Sequence, residues 1–417
     1  MHPAGPQSPR LELDDGFVVA TGIECSAPTI RAGYRQDELV KTGHWDRYAE
    51  DLSLIAATGM RFVRYGVPFH IVAVSDDPRQ FNWRWTDQAM ASLRDQGLEP
   101  ILDLLHFGLP DDIRAVGDPR LVGRFEAYAE AVAERYPWVR YYTPVNEPLV
   151  TSVLSARAGL WNERARDDRS FVAAIDNVVT CAIRGMEIIR QRRPDAIFVQ
   201  SDGCEAYSTV HAGQMAHVAF LNERRFVCYD LTYGRRPEPA ILAWLLLNGM
   251  TEQRLAWFAE RGTKAGCIVG HDYYRGNEWV VEASGRTRRA GAARRGYLAL
   301  AREYHDRYGM PFMLSETNIA GPMAPGWLAE VWNDALTLRA EGLPIRGFCW
   351  YGFVDHVDWD SGLARNRGRV NRCGLVGLDR QPHPVGLLYG QLAAAARLDA
   401  YPPISRRRRS EPLAIAA

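Results

Sequence analysis

"VRYYTPVNEPLV", Val139 to Val150, is the stretch on which the fold turns. Its first seven residues are rich in β-branched and aromatic side chains, which suit a pleated, buried strand. The run then breaks on Asn146-Glu147-Pro148. A proline explains why the chain turns there. It does not explain a carboxylate held between an amide and a pyrrolidine ring. A strand ending on such a group fits a barrel whose chemistry sits at the C-terminal ends of its strands.

Working outward from this run, similar runs recur along the chain. Before it come "FVVATGI" from Phe17, "RFVRYG" from Arg61 and "EPILDLLH" from Glu99. After it come "AIFVQS" from Ala196, "CIVGHDYY" from Cys267, "PFMLSE" from Pro311 and "IRGFCWY" from Ile345. Amphipathic stretches separate them and predict helices over His44–Thr58, Thr86–Gln96, Pro119–Tyr136 and Ser170–Arg193. Further helices are expected over Ala290–Tyr308, Pro325–Glu341 and Pro384–Arg397, with a longer helical stretch over His211–Arg261. Strands alternating with helices imply parallel βαβ units, and eight of them imply a closed (β/α)8 TIM barrel. No GxGxxG opens a helix after a strand, so a dinucleotide fold is not supported. The α/β reading is a single barrel domain over residues 13–400, with a helical insertion after strand five. Residues 1–12 are expected to be disordered, as is the Arg-rich tail 401–417 with its run Arg406–Arg409.

The 417 residues are 47% hydrophobic and 24% charged, with 50 basic and 50 acidic side chains. That balance argues for neither nucleic acid nor a membrane surface as partner. The seven cysteines include no CxxC pair, which suits free thiols and a cytoplasmic location. No apolar run of about 18 residues predicts a transmembrane helix. His271, Asp272 and His356 form no metal-ligand spacing, and no cofactor is expected.

Polar residues collect at the strand ends. Strand two carries Arg64, strand three ends on His106, and strand four on Asn146 and Glu147. Strand six ends on Asp272-Tyr273-Tyr274 and strand seven on Glu316. Strand eight ends on Trp350-Tyr351 and leads into Asp355, His356, Asp358 and Trp359. Two carboxyls among aromatic walls suit glycoside hydrolysis: one protonates the leaving oxygen while the other attacks the anomeric carbon or activates water. Burial would raise the acid's pKa, and an adjacent arginine would keep the nucleophile ionised.

These residues carry a resemblance to glycoside hydrolase family 1, the β-glucosidase family. "TPVNEP" resembles the family's T-x-NEP motif, which implies Glu147 as general acid/base with Asn146 beside it. "LSETN" resembles the TENG motif, which implies Glu316 as nucleophile. "RFVRYGVPF" resembles the segment whose arginine contacts the nucleophile, here Arg64. "LLHFGLP" resembles HWDLP, whose histidine binds sugar, here His106. "GHDYY" resembles G-I-N-YY, whose second tyrosine bonds the nucleophile, here Tyr274. "GFCWYGFVDHVDW" resembles the strand-eight segment and implies Tyr351, or Trp350 beside it, as sugar platform, with Asp358 and Trp359 binding distal hydroxyls.

The chain also departs from the family pattern. Phe107 and Gly108 replace Trp-Asp, Ser315 replaces Thr, Asn318 replaces Gly, Asp272 replaces Asn, and Asp358 is one methylene shorter than Glu. Glu24 in "GIECS" lies near the place of a distal-hydroxyl glutamine. This variant resembles bacterial proteins in which such a barrel is joined to a sugar-nucleotide reductase. The resemblance implies a retaining β-glycosidase acting on a small-molecule glycoside. Two other readings stay open: a clan member acting on oligosaccharides, and a catalytically silent sugar-binding or scaffold protein. The cluster Arg365, Arg367, Arg369 and Arg372 is a solvated loop or a seat for an anionic group.

Overall fold

In the computed structural model, described over residues 11–74, 77, 79–405 and 414–415, all eight expected strands form and close on each other. They are β1 Val18–Gly22, β2 Phe62–Gly66, β3 Glu99–Leu105, β4 Tyr141–Val145, β5 Ile197–Gly203, β6 Cys267–Asp272, β7 Phe312–Glu316 and β8 Ile345–Tyr351. Every pairing is parallel, and the first and last strands meet with Val18 opposite Gly347.

The period-two alternation of the strands divides the barrel interior into two levels. Val18, Ala20, Phe62, Ile101, Tyr141, Ile197, Val199, Ile268, Met313 and Cys349 fill the lower level as one buried cluster. Leu11 and Leu13 plug its base, and Arg140 pairs with Glu12 at 2.7 Å. So Leu11 and Glu12 are built into the barrel; the rest of the N-terminal segment, and Arg406–Arg409 of the tail, lie outside the described residues. Two residues further along the same strands come Arg64, Asp103, Ser201, Gly270 and Ser315, which begin the polar level. Gly270 leaves room there: a Cβ would stand 2.6 Å from Ser315 Oγ and 2.9 Å from Ser201 Cα.

The helices cover the outside with apolar stripes. The longest, Asp168–Arg192, is capped by Asp167, whose side chain accepts from the Ser170 N–H, and buries Phe171, Ile175, Val178, Ala182, Met186 and Ile189. That spacing of three and four residues is one helix face. The stretch after β5 forms four helices, Met215–Arg224, Val227–Thr232, Pro239–Leu247 and Glu252–Arg261.

One expected helix is shorter than its periodicity implied. It begins at Tyr297, not Ala290, because Gly296 takes φ +86° and Thr287–Arg289 is a strand paired with Glu278–Val281. Ala206–Ser208 joins those two in a small outer sheet that the sequence reading missed.

Candidate active site

The strand-end residues converge on one guanidinium. Arg64, on β2, is fully buried. Its Nη1 donates to Glu316 Oε1 at 2.6 Å, and its Nη2 donates to both oxygens of Asp103 at 3.0 Å and to Asn146 Oδ1 at 2.6 Å. Strands two, three, four and seven are therefore tied through one planar fork, a geometry that lysine's point charge cannot reproduce. Tyr274 holds the other side of Glu316, its hydroxyl donating to Oε2 at 2.7 Å.

Asn146 is oriented by its neighbours. Its carbonyl faces Arg64, so its amide nitrogen faces His106 Nε2, 3.1 Å away. His106 Nδ1 lies 3.3 Å from Asp103 Oδ2, and its ring runs parallel to Tyr351 at 6.0 Å. Tyr351 in turn covers the guanidinium at 5.3 Å.

Glu147 caps the short helix Pro148–Ser152 from a left-handed backbone, φ +43° and ψ 62°. A non-glycine residue there is strained, and such strain collects at functional sites. Its N–H is tied to Ser201 O at 2.9 Å. One oxygen from each of Glu147, Asp272 and Glu316 comes within 4.8 Å of the others. Burial, then the charges of Glu316 and Asp272, push the Glu147 carboxyl well above the ordinary glutamate range. Burial also raises Glu316, but Arg64, His106 and the Tyr274 hydroxyl pull it back. The two environments thus drive an acid and an anion apart. For Asp103 burial opposes the charge, yet Arg64 and His106 together outweigh burial and hold it below the usual range.

Two groups are close enough to ligate an ion: the three carboxyls, and Cys25 with Asp103 and His106. In both, Arg64 already stands as the counter-charge, bonded to Glu316 and Asp103. The donor set is that of a carboxylate–guanidinium centre.

The distal end of the site is built differently from the expectation. Tyr351 faces the mouth, whereas Trp350 points the other way into the helical shell, its Nε1 donating to Cys373 O at 2.9 Å. Adjacent residues of a strand face opposite sides, so only one of the pair can be a platform. Asp358 is also turned from the role expected of it. Its carboxylate accepts from the N–H groups of Arg367, Gly368 and Arg369 at 2.9, 3.0 and 2.9 Å, and from Lys41 Nζ at 2.8 Å. Burial opposes its charge, but these bonds bring it down to about 2. It ties a loop and its side chain is fully buried. Arg367 and Arg369 share the one carboxylate of Asp360, so two of the four arginines of this cluster are paired.

Glu24 is buried as expected at the end of β1. Its Oε1 accepts from Ser26 N at 2.8 Å, while its Oε2 stands 3.8 Å from His356 Nε2. Neither of those two facing atoms has a hydrogen-bond partner among the described residues, nor do Gln36 Nε2, Glu38 Oε1 and Trp359 Nε1. They form a chain: Glu38 Oε2 accepts from Val357 N, and Gln36 shares Lys41 with Asp358. Burial and then the charge of Glu24 push Glu38 well above the usual range. Unpaired buried donors and acceptors are costly, and a hydroxyl group can satisfy either kind. Gln36 and Glu38 were missed from the sequence because one lies in a loop and the other opens the short helix Glu38–Lys41, with no strand-end signal.

Comparison with known proteins fits this geometry. Residues 25–210 match the family model described as Glycosyl hydrolase family 1. That match covers less than half of the chain. A relative, beta-glucosidase 4 of Oryza sativa subsp. japonica, is 29% identical over 178 residues, 34% of this chain and 36% of that protein. The 6-phospho-beta-galactosidase of Lacticaseibacillus rhamnosus is 26% identical over 147 residues, 33% of this chain and 31% of the relative. The chain thus spans about a third of the length of the curated relatives it matches. In fold the likeness is nearly complete. A beta-glucosidase from Thermotoga maritima in complex with azafagomine superposes with a TM-score of 0.75 over 92% of this chain and 98% of that one, at 14% identity. Among the described residues no helix is long and apolar enough to cross a membrane, and all seven cysteines are free and buried.

Proposed function

We propose that this barrel is a retaining β-glycosidase of glycoside hydrolase family 1. The observation that carries the reading is the approach of the Glu147 and Glu316 carboxylate oxygens to within 4.8 Å. Retaining sites place their carboxyls about 5–5.5 Å apart, and inverting sites leave about 6.5–9.5 Å for a water. The bonds from Arg64 and Tyr274 to Glu316 support an ionised nucleophile. The crowding of Glu147 by negative charge supports a protonated acid.

In the first step Glu316 attacks the anomeric carbon, the bond to the leaving oxygen breaks, and the proton of Glu147 passes to that oxygen. In the second, ionised Glu147 takes a proton from water. The water oxygen bonds the anomeric carbon, and Glu316 departs as a carboxylate. His106, Asn146 and Tyr351 line the wall beside Glu316, in reach of the sugar ring. Glu147 and the attacking water account for every proton moved in the two steps.

The glycone we assign is uncharged. Glu24 and Glu38 bring carboxyls to the distal end, and Lys41 is already engaged by Gln36 and Asp358. A phosphoryl group there would face the carboxyl oxygens of Glu24 and Glu38, and the cation beside them, Lys41, is already bonded. Hydroxyls, which both donate and accept, answer the unpaired atoms of Glu24, Glu38, Gln36 and Trp359.

The test is a panel of 4-nitrophenyl β-glycosides and their 6-phosphates, with Glu316→Ala and Glu147→Ala as controls. Turnover of an unphosphorylated member, lost in Glu316→Ala, is expected. For Glu147→Ala, activated aryl substrates should still load the enzyme, and azide should restore release as a glycosyl azide. Turnover that neither substitution changes removes the site assignment. No turnover of any member leaves the silent sugar-binding reading in its place.

A further inference from the structure

The two-step chemistry uses two carboxyls, yet the site holds a third. Asp272 ends β6 fully buried, in line with Glu147 and Glu316. Ser201 Oγ stands 2.7 and 2.6 Å from its two oxygens, and Ser315 Oγ stands 2.7 Å from Oδ1. The two hydroxyls are 3.2 Å apart. This small ring can be satisfied in either protonation state. When Asp272 is ionised, both hydroxyls donate to it. When it is protonated, its O–H donates to Ser201, Ser201 to Ser315, and Ser315 back to Asp272. The surroundings can therefore hold the carboxyl with or without its proton.

Counter-charge is what Asp272 lacks. Arg64 lies 3.9 Å from it, against 2.6 Å from Glu316 and 3.0 Å from Asp103. From β4 it faces Glu147, from β7 Glu316, from β8 the Cys349 thiol, and from the helix Val227–Thr232 the Tyr229 phenol. Tyr274, two residues on, donates to Glu316. Arg64 is the one cation in that set, and it is shared.

We propose that Asp272 is a positioning residue whose negative charge holds the acid proton on Glu147. The proposal rests on the roles assigned above to Glu147 and Glu316. Glu316 ionises first because Arg64 and Tyr274 favour its anion. Once Asp272 is also charged, loss of the Glu147 proton would put a third negative charge within 4.8 Å of the other two. The acid therefore stays protonated to higher pH than it would beside a neutral amide. Burial and then Glu316 push Asp272 above the ordinary aspartate range, Arg64 and the Ser201 and Ser315 hydroxyls pull it back toward its anion, and the Asp272 charge in turn raises Glu147. The asparagine of the family pattern would keep the hydrogen bonds and lose the charge.

The experiment titrates Glu147 directly in the full chain. Protein labelled with [δ-13C]glutamate is followed by NMR from pH 4 to 10, with the Glu147 signal assigned through Glu147→Gln. In Asp272→Asn the Glu147 midpoint should fall by about one pH unit, the scale of one added charge in a partly screened site. The alkaline limb of kcat/KM should move with it. Ser315→Ala, which removes one donor to the charged form of Asp272, should shift the midpoint the same way by less. It also carries the test if Asp272→Asn does not fold. An unchanged midpoint in a folded variant overturns the proposal, as does a kcat loss that is equal at every pH. A shifted midpoint in a protein that turns over no glycoside supports this proposal and sinks the glycosidase reading. Turnover lost in Glu316→Ala with no shift does the reverse.

Discussion

Arg64 Nη1 lies 2.6 Å from Glu316 Oε1, and the opposite arm of the same guanidinium bonds Asp103 and Asn146. One side chain thereby sets the charge of the nucleophile and the orientation of the amide beside the acid. Arg64→Lys keeps the charge and loses the fork. We expect kcat/KM to fall about 10²- to 10³-fold, with a stability loss of about 3 kcal/mol from the stranded carboxylate. Steady-state kinetics with a urea melt check this; a loss under threefold would remove Arg64 from the site.

Tyr274 donates a single bond, 2.7 Å long, to Glu316 Oε2. Bonds to charged groups contribute about 1.5–3 kcal/mol, so Tyr274→Phe should cost about 10- to 100-fold in kcat. The bond favours the ionised carboxylate, so its loss raises the pKa of Glu316. The acid limb of the pH–rate profile should move to higher pH. An unmoved limb would place Tyr274 outside the nucleophile's environment.

Wild-type kcat/KM should give a bell with both limbs above the ordinary carboxyl range. Burial raises Glu316 and raises Glu147 further. The acid limb follows ionisation of Glu316 and the alkaline limb follows loss of the Glu147 proton. Added salt should leave the bell nearly in place, because buried charges are poorly screened.

Glu147 also predicts a stability difference. Its folded pKa is above its unfolded one, so the folded chain binds that proton more tightly. The stability tied to the bound proton is full below the unfolded pKa and is lost as pH rises through the folded pKa. Glu147→Gln escapes that loss. Its Tm should match wild type near pH 4 and exceed it at pH 9, by calorimetry. A difference that shrinks as pH rises would contradict the sign.

Asp358 and Trp350 should behave as structural groups. Asp358→Ala frees the N–H groups of Arg367, Gly368 and Arg369 and strands Lys41, so proteolysis within 360–369 should accelerate. Trp350→Phe should lower Tm and leave KM unchanged, whereas Tyr351→Ala should raise KM. A KM effect from Trp350→Phe alone would reverse the platform assignment.

The barrel was legible because its signal is repetition. All eight strands recur as apolar runs between amphipathic stretches, and each was recognisable without its neighbours. Glu147, Glu316, Arg64, His106 and Tyr274 were legible as polar groups closing such runs. Asp103 and Ser201 were not singled out. They sit within strands whose inward direction is set by register. Gln36 and Glu38 belong to a segment whose contacts are with Val357 and, through Lys41, Asp358, more than 300 residues away. Asp358 matched by alignment, but its φ of +63° and the three N–H groups returning from Arg367–Arg369 direct it to the loop.

By itself the order of residues determined that strands and helices alternate, that eight strands close, and that two glutamates end strands four and seven. Hydrophobic periodicity and strand-end polarity are local properties of the chain, so they can be read locally. Only the tertiary structure decided which of Trp350 and Tyr351 faces the mouth, that Asp272 stands as a third carboxyl, and that one arginine serves Glu316, Asp103 and Asn146 together. Those outcomes depend on distances of 3 to 5 Å between strands far apart in sequence. Barrel closure and register set such distances, and local pattern carries no record of them.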